Sequence, residues 1–234
     1  MADLLKKRIA LITGASRGIG SAIAKGFAAE GAHVILVART VGGLEEVDDE
    51  IQAAGGSASL VPMDLKDFPA IDRLGASIHE RWGKLDILVA NGSMLGQLTP
   101  IHQYDPILWD EVIAVNLTAN QRLLRSKDPL LRKSNAGRVI FVSSGTAQTA
   151  RPFWGAYAVS KAGLETMARS YAAENANSKL KINIVNPGAT RTNIRAAAYP
   201  GEDPKTVKAP KTLVPLFLEL ASPACLRNGD LIKA

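Results

Sequence analysis

The sequence has one cysteine, only 5% aromatic residues and no long uninterrupted apolar run. The lone Cys225 cannot form an internal disulfide. Three scattered histidines, His33, His79 and His102, lack the spacing of metal ligands, so we predict no metal site. No stretch of about 18 uncharged apolar residues is present to span a membrane, and the apolar run 9–12 is too short for a signal-peptide core. We therefore expect a cytoplasmic protein.

Basic residues are in excess but are spread along the chain. The 28 Lys and Arg outnumber the 22 Asp and Glu, and the resulting formal net charge of +6 would suit an anionic partner. The basic residues form no dense run and no stacking pattern with aromatic residues, so nucleic-acid binding is a minor alternative. With 234 residues, 47% of them hydrophobic, we expect a single domain over residues 1–234 with a sizeable core.

Apolar strands alternate with helical segments along the chain. The segment 8–13 is a short, continuously apolar run of the kind that is buried on both faces of a parallel sheet. The alternation predicts an α/β fold, a doubly wound, mostly parallel sheet of about seven strands with helices on both faces. The predicted strands are 8–13, 33–38, 57–63, 85–90, 138–143, 181–185 and 230–233. The predicted helices are 41–54, 67–81, 105–133, 155–176 and 213–220, with one more that follows the first strand and ends at 30.

A glycine-rich turn, 14–20, directly follows the first strand and leads into a helix. Glycines at such a junction let the backbone approach a pyrophosphate, and the amino end of the helix offers it unpaired amides and a positive dipole. We therefore predict a nucleotide site here; the alternative is a glycine-rich turn without a ligand. The candidate cofactor-binding residues of the turn are Gly14, Ser16, Arg17, Gly18, Ile19 and Gly20.

The end of the second strand indicates which nucleotide binds, because this point meets the adenosine ribose. The strand ends in Ala38 and is followed by Arg39. A carboxylate at this point would repel a 2′-phosphate, whereas Ala38 removes the repulsion and Arg39 supplies a forked phosphate ligand. We therefore expect NADP(H) to be favoured over NAD(H). The alternative is that Arg39 is a solvated surface charge.

Ser144, Tyr157 and Lys161 form a candidate catalytic set. Tyr157 and Lys161 are four residues apart in the predicted helix 155–176 and so face the same way. A cation beside a phenol favours the phenolate, so we expect Lys161 to lower the pKa of Tyr157. The alternative is an ordinary pair on a helix surface. Ser144 follows the fifth strand, at the edge where open α/β sheets bind ligands.

These motifs together resemble the short-chain dehydrogenase/reductase family. A Thr-Gly-x-x-x-Gly-Ile-Gly motif starts at Thr13. The separation of 13 residues from Ser144 to Tyr157 and of 4 residues from Tyr157 to Lys161 matches the family's catalytic arrangement. The resemblance covers essentially the whole chain and implies a Rossmann fold. Within the family, the chain resembles a little-studied bacterial branch of oxidoreductases.

The resemblance implies an NADP(H)-dependent carbonyl reductase, which interconverts a carbonyl compound and a secondary alcohol by hydride transfer. Tyr157 is then expected to be the acid/base and Ser144 to orient the substrate. Lys161 is expected to bind the nicotinamide ribose, and Asn116 to interrupt its helix and carry a water chain to Lys161. The sequence leaves open a non-catalytic NADP(H)-binding sensor or regulatory protein on the same fold.

The resemblance also implies cofactor contacts beyond the glycine turn. Asp64 is expected to bind adenine, with a simple turn aspartate as the alternative. Asn91 is expected beside the adenosine, although its corner, 90–93, reads Ala-Asn-Gly-Ser where the family usually has Asn-Asn-Ala-Gly. The residues expected at the nicotinamide are Tyr157, Lys161, Pro187, Gly188, Thr190 and Thr192.

Residues 193–211 contain several prolines and are expected to form an irregular substrate lid. The candidate substrate-pocket residues are mostly apolar, which suggests a hydrophobic small-molecule substrate; simple packing is the alternative for each. They are Met94, Leu95, Phe153, Trp154, Ile194 and Tyr199. The resemblance further implies a homotetramer or homodimer, with the long helices around Asn116 and Tyr157 at the interface.

Overall fold

The computed structural model describes residues 3–149 and 151–234. Its strands are β1 Ile9–Thr13, β2 His33–Ala38, β3 Ser57–Pro62, β4 Ile87–Ala90, β5 Arg138–Val142, β6 Lys181–Asn186 and β7 Leu231–Lys233. They form one sheet in the order β3-β2-β1-β4-β5-β6-β7, and every pairing is parallel. The prediction of a doubly wound α/β sheet is confirmed. Chain order reverses between β1 and β4, so a ligand crevice is expected at the carboxyl ends of these strands.

Helices cover both faces of the sheet. They are α1 Gly18–Ala29, α2 Val41–Ala53, α3 Phe68–Trp82, α4 Pro106–Ile113, α5 Ala119–Arg132, α6 Gly155–Glu174, α7 Asn193–Ala198 and α8 Val214–Ala221. Alternate side chains of β1 enter two separate cores: Ile9 and Leu11 pack with α3, α5 and α6, whereas Ala10 and Ile12 pack with α1, α2 and α8. No helix in the described part of the chain is long and apolar enough to cross a lipid bilayer.

The predicted helix 105–133 is interrupted at its centre. Between α4 and α5 the residues Ala114–Thr118 wind as a π-helical turn, with Asn116 fully buried inside it. Such turns break the regular backbone ladder and are frequent at functional sites. The backbone carbonyl of Asn116 accepts a hydrogen bond from Asn120 Nδ2 at 2.8 Å. The family resemblance implied this interruption, which the apolar periodicity alone did not indicate.

The prediction of an irregular connection over 193–211 is wrong for its first part, where helix α7 forms. The Thr192 hydroxyl accepts a hydrogen bond from the Arg195 amide at 3.2 Å and so caps this helix. Arg195 also forms an ion pair with Glu202 at 2.5 Å, which ties the helix to the segment that follows. The prolines that suggested irregular structure all lie beyond the helix, from Pro200 onward.

Lys127 on α5 is fully buried, and burial lowers the pKa of its ammonium to about 8. Its Nζ donates to the Ile71 carbonyl at 2.7 Å, and the Ser126 hydroxyl donates to the same carbonyl at 3.2 Å. The Ile71 carbonyl therefore keeps a hydrogen bond when the lysine is removed. A charged group in this position contributes on the order of 3 kcal/mol of unfavourable free energy at neutral pH.

We expect Lys127→Met to raise the free energy of unfolding by about 1–2 kcal/mol at pH 7, because it removes a buried charge without leaving a buried carbonyl unpaired. The folded-state pKa lies below the unfolded value, so the unfolded chain binds more protons between the two and wild-type stability rises with pH there. The advantage of the variant should therefore shrink above about pH 8. Denaturant titrations at several pH values measure this, with the exposed Lys179→Met as a control expected within about 0.5 kcal/mol of wild type.

Candidate active site

A cavity of about 410 Å³ lies at the carboxyl ends of the central strands. Nearly all of the predicted site residues line it, although they come from seven separate segments of the chain. Two do not line it, Gly20 and Asn116. Those that do are Gly14, Ser16, Arg17, Gly18, Ile19, Arg39, Asp64, Asn91, Ser144, Tyr157, Lys161, Pro187, Gly188, Thr190 and Thr192.

The glycine turn is shaped so that only glycine fits at its critical points. Gly14 and Gly18 have φ values of 65° and 59°, in the left-handed region that favours glycine. A Cβ on Gly20 would lie 2.2 Å from the Gly14 carbonyl oxygen. The absence of a side chain at Gly20 therefore lets the start of α1 pack closely against the backbone of Gly14. Arg17 occupies the N-cap of α1 without a side-chain hydrogen bond to the first amides, which leaves them available to an anion. The turn therefore fits a pyrophosphate.

Asn91 links the end of β4 to the glycine turn. Its Nδ2 donates to the carbonyls of Thr13 at 2.9 Å and Gly14 at 3.2 Å. In return, the Thr13 hydroxyl accepts hydrogen bonds from the backbone amides of Asn91 at 3.0 Å and Gly92 at 2.9 Å. These four hydrogen bonds hold two neighbouring strand ends together, even though the corner departs from the family's usual sequence.

At the other end of the cavity, Arg39 and Asp64 lie at the carboxyl ends of β2 and β3. Arg39 Nη1 is 4.0 Å from an Asp64 carboxylate oxygen, and 70% of the arginine side chain is exposed. An exposed pair at this distance contributes little, so Arg39 is available to a phosphate. Beside it, Arg17 Nη2 donates to the Thr40 hydroxyl at 3.3 Å. Asp64 Oδ1 accepts a hydrogen bond from the Lys66 amide at 2.9 Å. This contact is that of a simple turn aspartate, the alternative to a role in adenine binding.

Tyr157 and Lys161 lie on the first turns of α6 and are both buried. Lys161 Nζ donates to the Val142 carbonyl at 2.8 Å and lies 5.7 Å from the centre of the Tyr157 ring. The net lowering of the Tyr157 pKa that was expected beside this lysine is not found: burial has the largest effect and raises the pKa of the phenol, while the hydroxyls of Ser144 and Ser93 act to lower it. Burial likewise lowers the pKa of Lys161 to about 8.

Ser144 follows β5 and is held by Thr146, a residue that sequence reasoning missed. The Ser144 Oγ accepts hydrogen bonds from the Thr146 amide at 3.3 Å and from the Thr146 hydroxyl at 3.0 Å. Both contacts use the oxygen of Ser144 as acceptor. Its own proton therefore remains free for Tyr157 or for a ligand oxygen in the cavity.

Asn116 supports the site from behind. Its Oδ1 accepts from the Met94 amide at 2.9 Å and from the Ser93 hydroxyl at 3.1 Å. Its Nδ2 donates to the Met94 carbonyl at 2.9 Å and to the Ser160 hydroxyl at 3.0 Å. The amide thereby uses all of its hydrogen-bonding capacity within the protein and joins the 93–94 segment to α6. The water chain to Lys161 stays a prediction.

The remaining wall of the cavity is largely aromatic. The Trp154 ring lies 5.8 Å from Tyr157 and 5.9 Å from Tyr199, which follows α7. Met94 and Ile194 also line the cavity. Of the predicted pocket residues, Leu95 and Phe153 are not part of this wall. The end of the cavity at Ser144 and Tyr157 thus faces apolar and aromatic side chains, with Arg195 over the Tyr199 ring as a charged neighbour.

The family model described as short chain dehydrogenase matches residues 8–203. YciK, an uncharacterised oxidoreductase of Escherichia coli K12, is 38% identical over 221 residues, which cover 93% of this chain and 87% of YciK. A Shigella flexneri 2a short-chain dehydrogenase complexed with NADP has a TM-score of 0.95 at 36% identity, covering 100% of this chain and 99% of that one. An Escherichia coli CFT073 short-chain dehydrogenase complexed with NADPH has a TM-score of 0.95 at 37% identity, covering 100% and 98%. The chain belongs to the short-chain dehydrogenase family.

Proposed function

We propose that this protein is an NADP(H)-dependent oxidoreductase that interconverts a hydrophobic carbonyl compound and its secondary alcohol. The observation that carries the proposal is the cluster of Ser144, Tyr157 and Lys161 in the same cavity as the glycine turn. The related structures complexed with NADP and NADPH support this choice of cofactor. The apolar wall supports a hydrophobic substrate.

The residues present fit the cofactor. The turn from Gly14 to Gly20 and the free amides of α1 would hold its pyrophosphate, and Arg39 with Arg17 would hold the 2′-phosphate. Lys161 would bind the nicotinamide ribose. When bound, NADPH supplies the hydride.

In the proposed reduction, the Ser144 hydroxyl donates to the substrate carbonyl oxygen and holds it beside Tyr157. The Tyr157 phenol then gives its proton to that oxygen as the carbonyl carbon receives hydride. The products are a secondary alcohol and a tyrosinate, and the tyrosinate regains a proton from solvent. Lys161 stabilises the tyrosinate by its positive charge. Burial of Tyr157 keeps the phenol protonated at neutral pH, which suits a proton donor.

The function is tested by mixing the protein with NADPH and a panel of hydrophobic ketones. We expect loss of NADPH absorbance with at least one compound. Tight NADPH binding without turnover across the panel would instead favour the NADP(H)-binding sensor. The cytoplasmic location, the lid role of 193–211 and the homodimer or homotetramer stay predictions of the sequence.

Arg39→Ala should remove the preference for NADPH. We expect wild type to bind NADPH more tightly than NADH, and the variant to lose about 10-fold in NADPH affinity with little change for NADH, because one charge-assisted contact to the 2′-phosphate disappears. Fluorescence titration with both nucleotides measures this. Arg73→Ala is the matched control, since Arg73 is 69% exposed on α3, outside the cavity. Equal affinity of the wild-type protein for NADPH and NADH would contradict the assignment of Arg39 to the 2′-phosphate.

A further inference from the structure

Among the described residues that line the cavity, Arg195 is the cation that the proposed cofactor site leaves without a role. These residues include four cations and one acid. Three of the cations, Arg17, Arg39 and Lys161, are proposed to contact the cofactor. The acid, Asp64, lies at the far end beside Arg39. A guanidinium in a wall that is otherwise apolar and aromatic points to a ligand group of negative charge.

Arg195 lies at the end of the cavity where the substrate is expected. Its guanidinium carbon is 3.7 Å from the centre of the Tyr199 ring. The Trp154 ring is 5.9 Å from Tyr199 and 5.8 Å from Tyr157, so aromatic rings connect the arginine with the proposed proton donor. A ligand that reaches both Tyr157 and Arg195 therefore passes along an aromatic wall, which suits an apolar chain.

Glu202 holds the guanidinium in place without using all of its donors. Arg195 Nε donates to Glu202 Oε2 at 2.7 Å, and Nη2 donates to Glu202 Oε1 at 2.5 Å. Within the described residues, Nη1 donates to no acceptor. Arg195 lines the cavity and Glu202 does not, so the pair presents its cationic member to a ligand. A guanidinium that is already fixed loses little conformational freedom when it binds an anion.

A second guanidinium adds positive charge to this wall. Arg151 donates a hydrogen bond to the Tyr199 hydroxyl, and its guanidinium carbon lies 5.7 Å from the centre of the Tyr199 ring. Tyr199 is thus contacted by two guanidinium groups, those of Arg151 and Arg195. The described ion pairs give these two groups one carboxylate, that of Glu202. The wall therefore keeps an excess of positive charge, which attracts an anion.

We propose that the substrate is a carbonyl compound with an anionic group, a carboxylate or a phosphate, at the other end of an apolar chain, and that Arg195 binds this group. The carbonyl lies at Ser144 and Tyr157, and the chain lies along Trp154. The anionic oxygens accept hydrogen bonds from Arg195 Nη1. A neutral chain end would leave this donor without a partner, so the arginine selects for the anion. This inference rests on the proposed function and names the class of its substrate.

The first test is binding to the complex of the protein with NADP⁺, which does not depend on turnover. Octanoate, octyl phosphate and octanamide are titrated by calorimetry, the amide having a similar chain without charge. We expect at least one of the two anions to bind about 10- to 100-fold more tightly than octanamide, because its charge is paired. Arg195→Met should remove this preference and leave the affinity for NADP⁺ unchanged. Which anion binds more tightly distinguishes a carboxylate from a phosphate.

Two further variants separate charge from structure. Arg73→Met is the matched control, because Arg73 lies on α3 outside the cavity and its side chain is 69% exposed. It should bind all three compounds as the wild-type protein does. Glu202→Gln keeps an oxygen that accepts from Arg195 and removes the competing negative charge. We expect it to bind the preferred anion about 2- to 5-fold more tightly, which a purely structural role of the pair would not produce.

The second test is turnover with NADPH, using keto acids and their methyl esters with the keto group near the far end of the chain. We expect kcat/KM for the acid to exceed that for the ester by about 10-fold or more. Arg195→Met should lower the value for the acid through KM and leave the ester unchanged.

The two tests separate this inference from the proposed function. Binding of an anion that depends on Arg195, with no reduction of any ketone, would support the inference and contradict the proposed function. No preference for either anion over octanamide would overturn the inference, whether or not ketones are reduced. An equal loss of acid and ester turnover in Arg195→Met would overturn it as well.

Discussion

Tyr157→Phe should lower kcat for carbonyl reduction by about 10²- to 10⁴-fold, because the variant keeps the ring and loses the only proton donor proposed for the substrate oxygen. The ring packs against Trp154 at 5.8 Å, and phenylalanine preserves this contact. NADPH affinity should therefore change little. Steady-state kinetics at saturating NADPH, together with a fluorescence titration of NADPH, separate the two effects.

Tyr171→Phe is the matched control for this prediction. Tyr171 lies on the same helix, α6, but its hydroxyl donates to Asp128 at 2.6 Å, and it does not line the cavity. We expect this variant to lose stability by about 1 kcal/mol and to keep its kcat. Wild-type turnover by Tyr157→Phe would contradict the proposed role of the phenol, whatever the control shows.

Gly20→Ala should weaken NADPH binding by at least about 100-fold, since the pyrophosphate needs the closed glycine turn. The added Cβ would lie 2.2 Å from the Gly14 carbonyl oxygen and 2.7 Å from Asn91 Nδ2. Neither atom can move freely, because the Asn91 amide also donates to the Thr13 carbonyl at 2.9 Å. The backbone of the turn must shift, and the shift moves the amides that are proposed to hold the pyrophosphate. Calorimetric or fluorescence titration with NADPH measures the loss.

Gly42→Ala makes the same chemical change without the clash. Gly42 lies on α2, and its added Cβ would meet nothing within 4 Å. Alanine is the better helix former, so this variant should bind NADPH normally and be slightly more stable, by up to about 1 kcal/mol. Circular dichroism on both variants shows whether Gly20→Ala is folded. A folded Gly20→Ala protein with normal NADPH affinity would contradict the phosphate role of the turn.

Local patterns in the sequence predicted the features that depend on neighbours along the chain. The apolar run at β1, the glycine turn after it and the four-residue spacing of Tyr157 and Lys161 each involve residues that are close in sequence. The parallel orientation of the strands followed from their alternation with helices. The same reasoning placed the ends of these strands, and hence Arg39 and Ser144, at one edge of the sheet.

The features that sequence reasoning missed depend on contacts between distant segments. Ser93 meets Asn116 across 23 residues, and Asn116 meets Ser160 across 44. The departure from the family sequence at 90–93 marked Ser93 as unusual, but it gave no partner for the hydroxyl. The raised pKa of Tyr157 has a similar origin, because burial is set by the packing of several elements and not by the lysine one turn away.

The most direct test of the proposed function follows the hydride itself. The protein is incubated with NADPH that carries deuterium at the nicotinamide C4 and with the panel of hydrophobic carbonyl compounds, and the products are analysed by mass spectrometry. We predict an alcohol with deuterium on the former carbonyl carbon from wild type, and almost none from Tyr157→Phe. Tight NADPH binding with no labelled alcohol from any compound would contradict the function proposed for this cavity.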